Sequence, residues 1–360
     1  MSSFFLAKLG FMLITMYLCS PCIPSDITTN LANSTTLHRR YYSVPNDRSG
    51  DKPSGPWPVE VKDAINGDQA PIYYCYEDDA VNHFSPIFAD AFTKWDTAVR
   101  YSALEFKPDP ECKGSLECEC SDECKPETVR IRRTSDGASE ATIGYDYESP
   151  DEGRHYLNLN IEGYDLSNPA SRAVVVLTVT HELGHIIGLA HEHQRPDRDT
   201  YIEFHCENLK GYKEGLVKVA AARKDPSTAP TKLLECILPS MTDEECMKDF
   251  VCKLPKYAQP YMSIAGGYIT GNHYFALKDF EWPTWALNTA SIMNYGSYFA
   301  SSACGNIKFP DGAVLVGVRR DNGAKFPIFQ GGDKNPGEGH PSASDNQRVM
   351  MLYPKNKASS

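Results

Sequence analysis

The sequence predicts an α+β fold: one lobe built from a twisted, mixed and mostly antiparallel sheet with a long buried helix, then an irregular, disulfide-rich second lobe. Three observations carry that expectation. Val129 and Ile131 alternate with arginines, and Leu157, Leu159 and Ile161 alternate with asparagine and glutamate, the period-two pattern of half-buried strands. Apolar residues recur three and four apart along Pro86–Tyr101 (Ile87, Phe88, Ala91, Phe92, Trp95, Val99), the period of a helix with one buried face. Beyond His191 the chain scatters Gly, Pro and Cys without either period.

The elements follow in order. Lys8 precedes an apolar run, Leu9 to Cys19, closed by small and turn residues, so residues 1–22 read as a signal peptide and the product as secreted. Residues 23–55 are polar and rich in Ser, Thr, Asn and Pro, the composition of a flexible prosegment; Arg39-Arg40 is a candidate processing site and Asn33-Ser34-Thr35 a glycosylation sequon. Residues 56–355 then form one folded domain, opening at Trp57-Pro58. Pro71–Tyr76 is a short strand. Asn168 and Pro169 pair an N-cap with a first-turn proline, so a helix runs from about 169 to 187, with Val174, Val175, Leu177 and Thr178 on its buried side. Ser344-Asp345-Asn346-Gln347 reads as a capping box opening a final short helix, Val349 to Tyr353.

Composition excludes some classes of partner. After the leader no run approaches the roughly 20 apolar residues of a membrane span. A formal charge of −11 argues against non-specific nucleic-acid binding. With Cys19 and Cys22 lost in the leader, ten of the 12 cysteines remain, enough for up to five disulfides of undetermined connectivity. Cys112, Cys118, Cys120 and Cys124 could instead form a second zinc site, but their spacing fits no common zinc ribbon or finger.

The chemistry concentrates in His181-Glu182-Leu183-Gly184-His185-Ile186-Ile187-Gly188-Leu189-Ala190-His191. A helix turns about 100° per residue, so His181 and His185 share one face and can grip one zinc ion, with Glu182 able to reach a zinc-bound water. Gly188 can adopt the left-handed conformation that ends a helix, letting His191 return as third ligand. Three protein ligands leave one position for water, the pattern of a catalytic site. Met293, within Ser291-Ile292-Met293-Asn294-Tyr295, supplies the methionine turn that accompanies the long motif.

His191-Glu192-His193-Gln194-Arg195-Pro196-Asp197-Arg198-Asp199 and Ser291-Ile292-Met293-Asn294-Tyr295-Gly296 resemble the astacin family of zinc metalloendopeptidases, within the metzincins. The resemblance is close over 171–202 and 288–296, weaker over 56–163 and 336–354, and not visible in the first 50 residues or over roughly 210–265. It implies one Zn2+ per chain held by His181, His185 and His191, with Glu182 as general base. It also implies Tyr295 as a displaceable ligand that stabilises the tetrahedral intermediate, and Met293 as an apolar floor. Glu192 is implied to face inward toward the mature amino terminus, and zymogen latency is implied as well. An outer strand near 141–147 is implied to take protein or peptide substrate in extended form, pairing its free edge with the substrate backbone. Arg195, Asp197 and Arg198 read as structural ion-pair partners.

Departures remain. The family's cysteines before the zinc helix and at the end are absent, and Asn294 stands where many members carry histidine. The family's latency aspartate has only Ile65-Asn66-Gly67-Asp68 as a partial match, better read as a surface turn. The interval from His191 to Met293 is about twice the usual one, placing an insertion at about 212–267. It is read either as shaping the cleft or as an elaboration remote from it, the second being preferred. His273 reads as an ordinary polar residue. Two alternatives stand beside the peptidase: a catalytically inactive secreted zinc-containing binding or toxin-like protein, disfavoured by Glu182 and Tyr295, and a metzincin of another family, disfavoured by Glu192 and Tyr295.

Overall fold

The computed structural model describes residues 42–46, 54–60, 68–77, 80–112, 118–135, 138–228, 236, 240–273, 277, 280–282, 286–303, 308–331 and 339–355. The leader, the sequon, Arg39-Arg40, Ile65-Asn66-Gly67, Tyr274-Phe275 and Cys304 lie outside them. In chain order the first lobe contains β1 (Ser54–Gly55), β2 (Ala70–Tyr76), α1 (Ala80–Lys94), α2 (Asp96–Tyr101), β3 (Leu104–Pro108), β4 (Val129–Arg133), β5 (Glu140–Ala141), β6 (Tyr145–Asp146), β7 (Tyr156–Leu159) and α3 (Pro169–Ile187). The second contains β8 (Ile202–Phe204), α4 (Tyr212–Lys224), α5 (Asp243–Cys246), α6 (Pro255–Met262), β9 (Leu315–Val318) and β10 (Lys325–Pro327). The closing helix α7 (Ala343–Leu352) returns to the first lobe.

The α+β expectation holds, and the sheet is mixed. Its order is β3-β2-β4-β7-β5, with β2–β3, β2–β4 and β4–β7 parallel and only β5 antiparallel. Parallel pairs therefore form the majority, which corrects the mostly antiparallel expectation. The reason is that α1 and α2 carry the chain from β2 back to the start of β3, the crossover a parallel pair requires. The helical stretch over 86–101 breaks at Trp95, which is buried with its indole N–H donating to Thr180 O.

α3 spans Pro169–Ile187 as read from the sequence. The Asn168 side chain accepts from the Ala170 and Ser171 N–H groups, and Gly188 ends the helix at φ +114°. Its buried side differs from the one expected: Val175, Val176, Val179 and Thr180 are buried, while Val174, Leu177 and Thr178 are half-buried. The difference is about one residue of helical phase. It arises because α1 packs on one flank of α3 and the sheet edge, β5 and β7, on another.

Three further expectations are corrected. Residues 42–46 are not a flexible tail. Tyr42 and Val44 are fully buried in the first-lobe core, and this segment exchanges backbone hydrogen bonds with Gly188, Ala190 and Glu281. The alternation of Tyr42, Ser43 and Val44 is too short to stand out from its polar surroundings. The outer strand over 141–147 is interrupted: β5 lies on the sheet edge, but β6 leaves it to pair with β1. The left-handed Gly144, at φ +66°, falls between them and redirects the chain. The last helix begins at Ala343, six residues before the Val349 read from the sequence, and its cap sits two residues earlier, because Ser342 and Asp345, not Ser344 and Gln347, form the capping box.

The second lobe has its own core, including Leu209, Val219, Met247, Tyr257 and Leu315, and an antiparallel sheet in the order β10-β9-β8. It is thus less irregular than expected. Four disulfides occur among the described residues: Cys75–Cys120, Cys112–Cys118, Cys206–Cys252 and Cys236–Cys246. Two fall in each lobe. In the 112–124 cluster the disulfide reading therefore holds for three cysteines, while Cys124 is buried and unbonded, its Sγ 3.2 Å from that of Cys112. No described helix is long and apolar enough to cross a membrane.

Candidate metal centre and active site

α3 delivers His181, Glu182 and His185 to the junction of the two cores, and the Gly188 turn brings His191 against them. The Nε2 atom of His191 lies 3.0 Å from that of His181 and 3.1 Å from that of His185. Each Nδ1 faces an oxygen: Ile292 O at 2.8 Å from His181, Leu189 O at 2.8 Å from His185, and Gln194 Oε1 at 3.0 Å from His191. A carbonyl oxygen only accepts, so each Nδ1 carries the proton and each Nε2 turns a lone pair toward the same point. Burial keeps the rings uncharged, depressing His181 to about 4 and His185, with His181 adding, to about 3. Three neutral nitrogen lone pairs at such separations repel one another unless a cation lies between them. The donor set, three imidazoles held by outer hydrogen bonds, suits zinc.

Glu182 follows His181 on α3, and its charge acts on Tyr295 beside the triad. It is buried, and among the described residues its Oε2 has no hydrogen-bond partner. Burial, reinforced by the charge of Glu140 on β5, pushes its carboxyl up to about 8 in the bare protein. A cation alongside would draw it back toward the ionised form.

Met293 underlies the triad, 1% exposed. A Cβ added to Gly184 would collide with Met293 Sδ, which explains a glycine in the middle of α3. The methionine turn is itself anchored from α7. Asp345 accepts from Ser291 Oγ (2.6 Å), Ile292 N (3.0 Å) and Ser342 N (2.9 Å). Since Ile292 O in turn holds His181, α7 reaches the metal centre through two hydrogen bonds.

Tyr295 is brought beside the triad, with its ring centroid 4.6 Å from that of His191 and 6.1 Å from that of His181. Burial, with the charge of Glu182 adding, raises its phenol well above the ordinary tyrosine range, so the hydroxyl stays protonated. Glu192 is buried. Its Oε1 accepts from Arg195 Nη1 and from Asn288 N, each at 2.9 Å. Arg195 also pairs with Asp197, and Arg198 with Asp199, which accords with structural roles. His273 is not part of the triad; it lies on a surface groove along the second lobe.

The expectation that the insertion lies remote from the cleft is corrected. Its end, Ser263–Tyr268, docks on the segment after the third histidine through Gln194 Nε2 to Gly266 O (3.4 Å), His193 Nε2 to Gly267 O (3.0 Å) and Arg198 Nη1 to Tyr268 O (2.6 Å). His193 and Gln330, whose amide lies 2.9 Å from His181 Nδ1, were not singled out from the sequence. The position of His193 two residues beyond a ligand was a signal for it; nothing local marked Gln330.

A helix offering two imidazoles and a glycine turn returning a third bring together three histidines that could hold one metal ion. Residues 171–229 match the Astacin family (Peptidase family M12A), and over that segment the chain is astacin-like. Astacin-like metalloprotease toxin 4 of Loxosceles laeta is 51% identical over 43 residues, covering 12% of this chain and 38% of that protein. Astacin-like metalloprotease toxin 2 of Loxosceles intermedia is 59% identical over 32 residues, 9% of this chain and 12% of the relative. Protein SpAN of Strongylocentrotus purpuratus is 54% identical over 37 residues, 10% and 6% respectively. The chain thus spans well under half the length of these curated relatives. Among solved structures, a hatching-enzyme zinc-protease of Oryzias latipes aligns with 84% of this chain and 95% of its own, at 13% identity and a TM-score of 0.42. That likeness is too loose to add to the argument.

Proposed function

We propose that this protein is a secreted zinc-dependent endopeptidase. The observation that carries the reading is the convergence of three Nε2 lone pairs together with the buried carboxylate of Glu182, whose Oε2 has no partner among the described residues. His181, His185 and His191 would hold one Zn2+, which when bound acidifies water and polarises a carbonyl. Glu182 takes a proton from the attacking water on Oε2 and passes it to the departing amine. Tyr295, kept protonated by its surroundings, donates a hydrogen bond to the developing oxyanion. The substrate backbone lies along β5, which among the described residues pairs only with β7 in its sheet and carries Glu140 near Glu182. Side-chain-independent pairing of this kind suits cleavage within a chain. Secretion is supported by the apolar leader and the disulfides.

The test is Glu182→Gln, which keeps the side chain's shape. Activity on a denatured protein substrate is expected to fall by about 10²–10⁴-fold, with zinc content and thermal midpoint retained. A variant that keeps its zinc and cleaves at the wild-type rate removes Glu182 from the chemistry. A wild-type sample that holds zinc yet cleaves no peptide bond favours the inactive binding protein instead.

A further inference from the structure

His193 has a connection that the reaction chemistry leaves unused. Its ring is fully buried, and Nε2 lies 3.0 Å from Gly267 O. A carbonyl can only accept, so Nε2 carries the proton and Nδ1 is left as an acceptor. That acceptor takes the backbone N–H of Tyr295 at 3.2 Å. One imidazole therefore ties the end of the insertion to the residue that faces the triad. Its ring also packs on Tyr295, with centroids 4.4 Å apart.

The same insertion end borders the phenol directly. A Cβ on Gly267 would stand 3.4 Å from Tyr295 Cε2 and 3.8 Å from its hydroxyl oxygen, ordinary contact distances, so the insertion end lies directly against the ring and a branched side chain there would press on it. Tyr268 meets the Tyr295 ring edge-on at 5.5 Å and donates its own hydroxyl to Phe299 O. Phe299 covers the ring at 4.3 Å. Gly266, Gly267 and Tyr268 present three consecutive carbonyls to Gln194, His193 and Arg198, an arrangement that fixes the depth at which the insertion docks.

We infer that His193 is a positioning residue through which the inserted Ser263–Tyr268 turn sets the resting place of Tyr295 beside the His181–His185–His191 triad. The backbone of Tyr295 is held by Nδ1, its ring packs on both His193 and Phe299, and Gly267 borders it. The end of the 212–267 insertion is thus part of the surroundings of Tyr295. The inference rests on the role proposed above for Tyr295, but the placement itself can be measured without catalysis.

The test uses full-length protein with His193→Ala, His193→Gln and Gly267→Val. In metal-free samples, nitration of Tyr295 by tetranitromethane is followed by peptide mass spectrometry, with circular dichroism as a check on folding. Nitration is expected to rise severalfold in His193→Ala and to return toward the wild-type rate in His193→Gln, whose amide can both donate and accept. In zinc-loaded samples His193→Ala is expected to lower kcat by about 10–100-fold with KM little changed, and to lose no further activity in a Tyr295→Phe background. Unchanged nitration in a folded His193→Ala, or losses that add in full to Tyr295→Phe, overturns the inference. Should His193→Ala not fold, Gly267→Val decides by the same readouts, a wild-type nitration rate counting against it. A wild-type enzyme with no peptidase activity defeats the functional reading alone, and the nitration arm still judges the placement.

Discussion

Gly184 shows how a single hydrogen atom can be a structural requirement. Helix interiors disfavour glycine by about 1 kcal/mol relative to alanine, so its place in the middle of α3 needs a cause, and Met293 Sδ supplies one. Gly184→Ala is expected to lose stability despite the better helix former, by about 1–3 kcal/mol for an overpacked core. Zinc affinity should weaken too, because Met293 underlies the triad. Urea denaturation and chelator competition would check both, and a more stable variant would reject the argument. At this scale the sequence was highly legible. The spacing of His181, Glu182, His185 and His191 is a local property of the chain, and one helix and one turn suffice to read it. Gln330 and His193 were not legible, since their partners lie 149 and 74 residues away and no periodicity links them.

At the scale of elements, α7 supports the metal centre at one remove. Asp345 caps its own helix and at the same time holds the methionine turn at Ser291 and Ile292. Asp345→Ala should therefore cost more than a lost cap. About 2–4 kcal/mol is expected for the cap together with buried donors left unpaired, read as a lower urea midpoint together with faster zinc loss. The sequence showed a capping box here but chose Ser344. Both serines have an acceptor or amide three residues on, and only the contact of Ser342 with Asn288, distant in sequence, separates them. His155 joins another set of elements. Its Nδ1–H faces Glu127 O and its Nε2 accepts from Asp146 N on β6, both at 2.9 Å, beneath Trp57. Burial depresses it to about 4 from 6.5. The unfolded chain therefore takes up the proton first. Stability from this group is complete above about pH 6.5 and is lost as pH falls toward 4, by at most about 3 kcal/mol. His155→Phe should be less stable at pH 7 and lose less between pH 6.5 and 4.5, as thermal midpoints across that range would reveal. An equally steep wild-type and variant profile would refute the assignment.

Over the whole molecule, two cores meet at the triad, and the chain crosses between them several times. The first-lobe fold was legible because its strands and helices keep their periods. The second was not: its helices α4 to α6 are short, and their order comes from Cys206–Cys252, Cys236–Cys246 and contacts across about a hundred residues. Residues 42–46 were hidden for the same reason. They are held by fully buried Arg348, whose guanidinium donates to Ser43 Oγ (2.6 Å), Asn46 Oδ1 (3.0 Å) and Val44 O (2.7 Å), and pairs with Glu281 at 3.1 Å. Arg348→Met retains bulk but strands these acceptors, and a loss of about 3–5 kcal/mol is expected from equilibrium unfolding. An unaltered midpoint would mean that the segment contributes little.

The attachment of that segment to Gly188 and Ala190 has a bearing on what a cleavage nearby would do. Val44 N donates to Gly188 O at 2.8 Å and Ala190 N to Tyr42 O at 2.9 Å, so the ribbon lies directly against the turn that presents His191. A convertase cutting at Arg39-Arg40 would leave this ribbon stitched in place. A cut a few residues downstream would strip the backing from the turn that carries His191, and trimming at this end of the chain would then loosen the histidine triad.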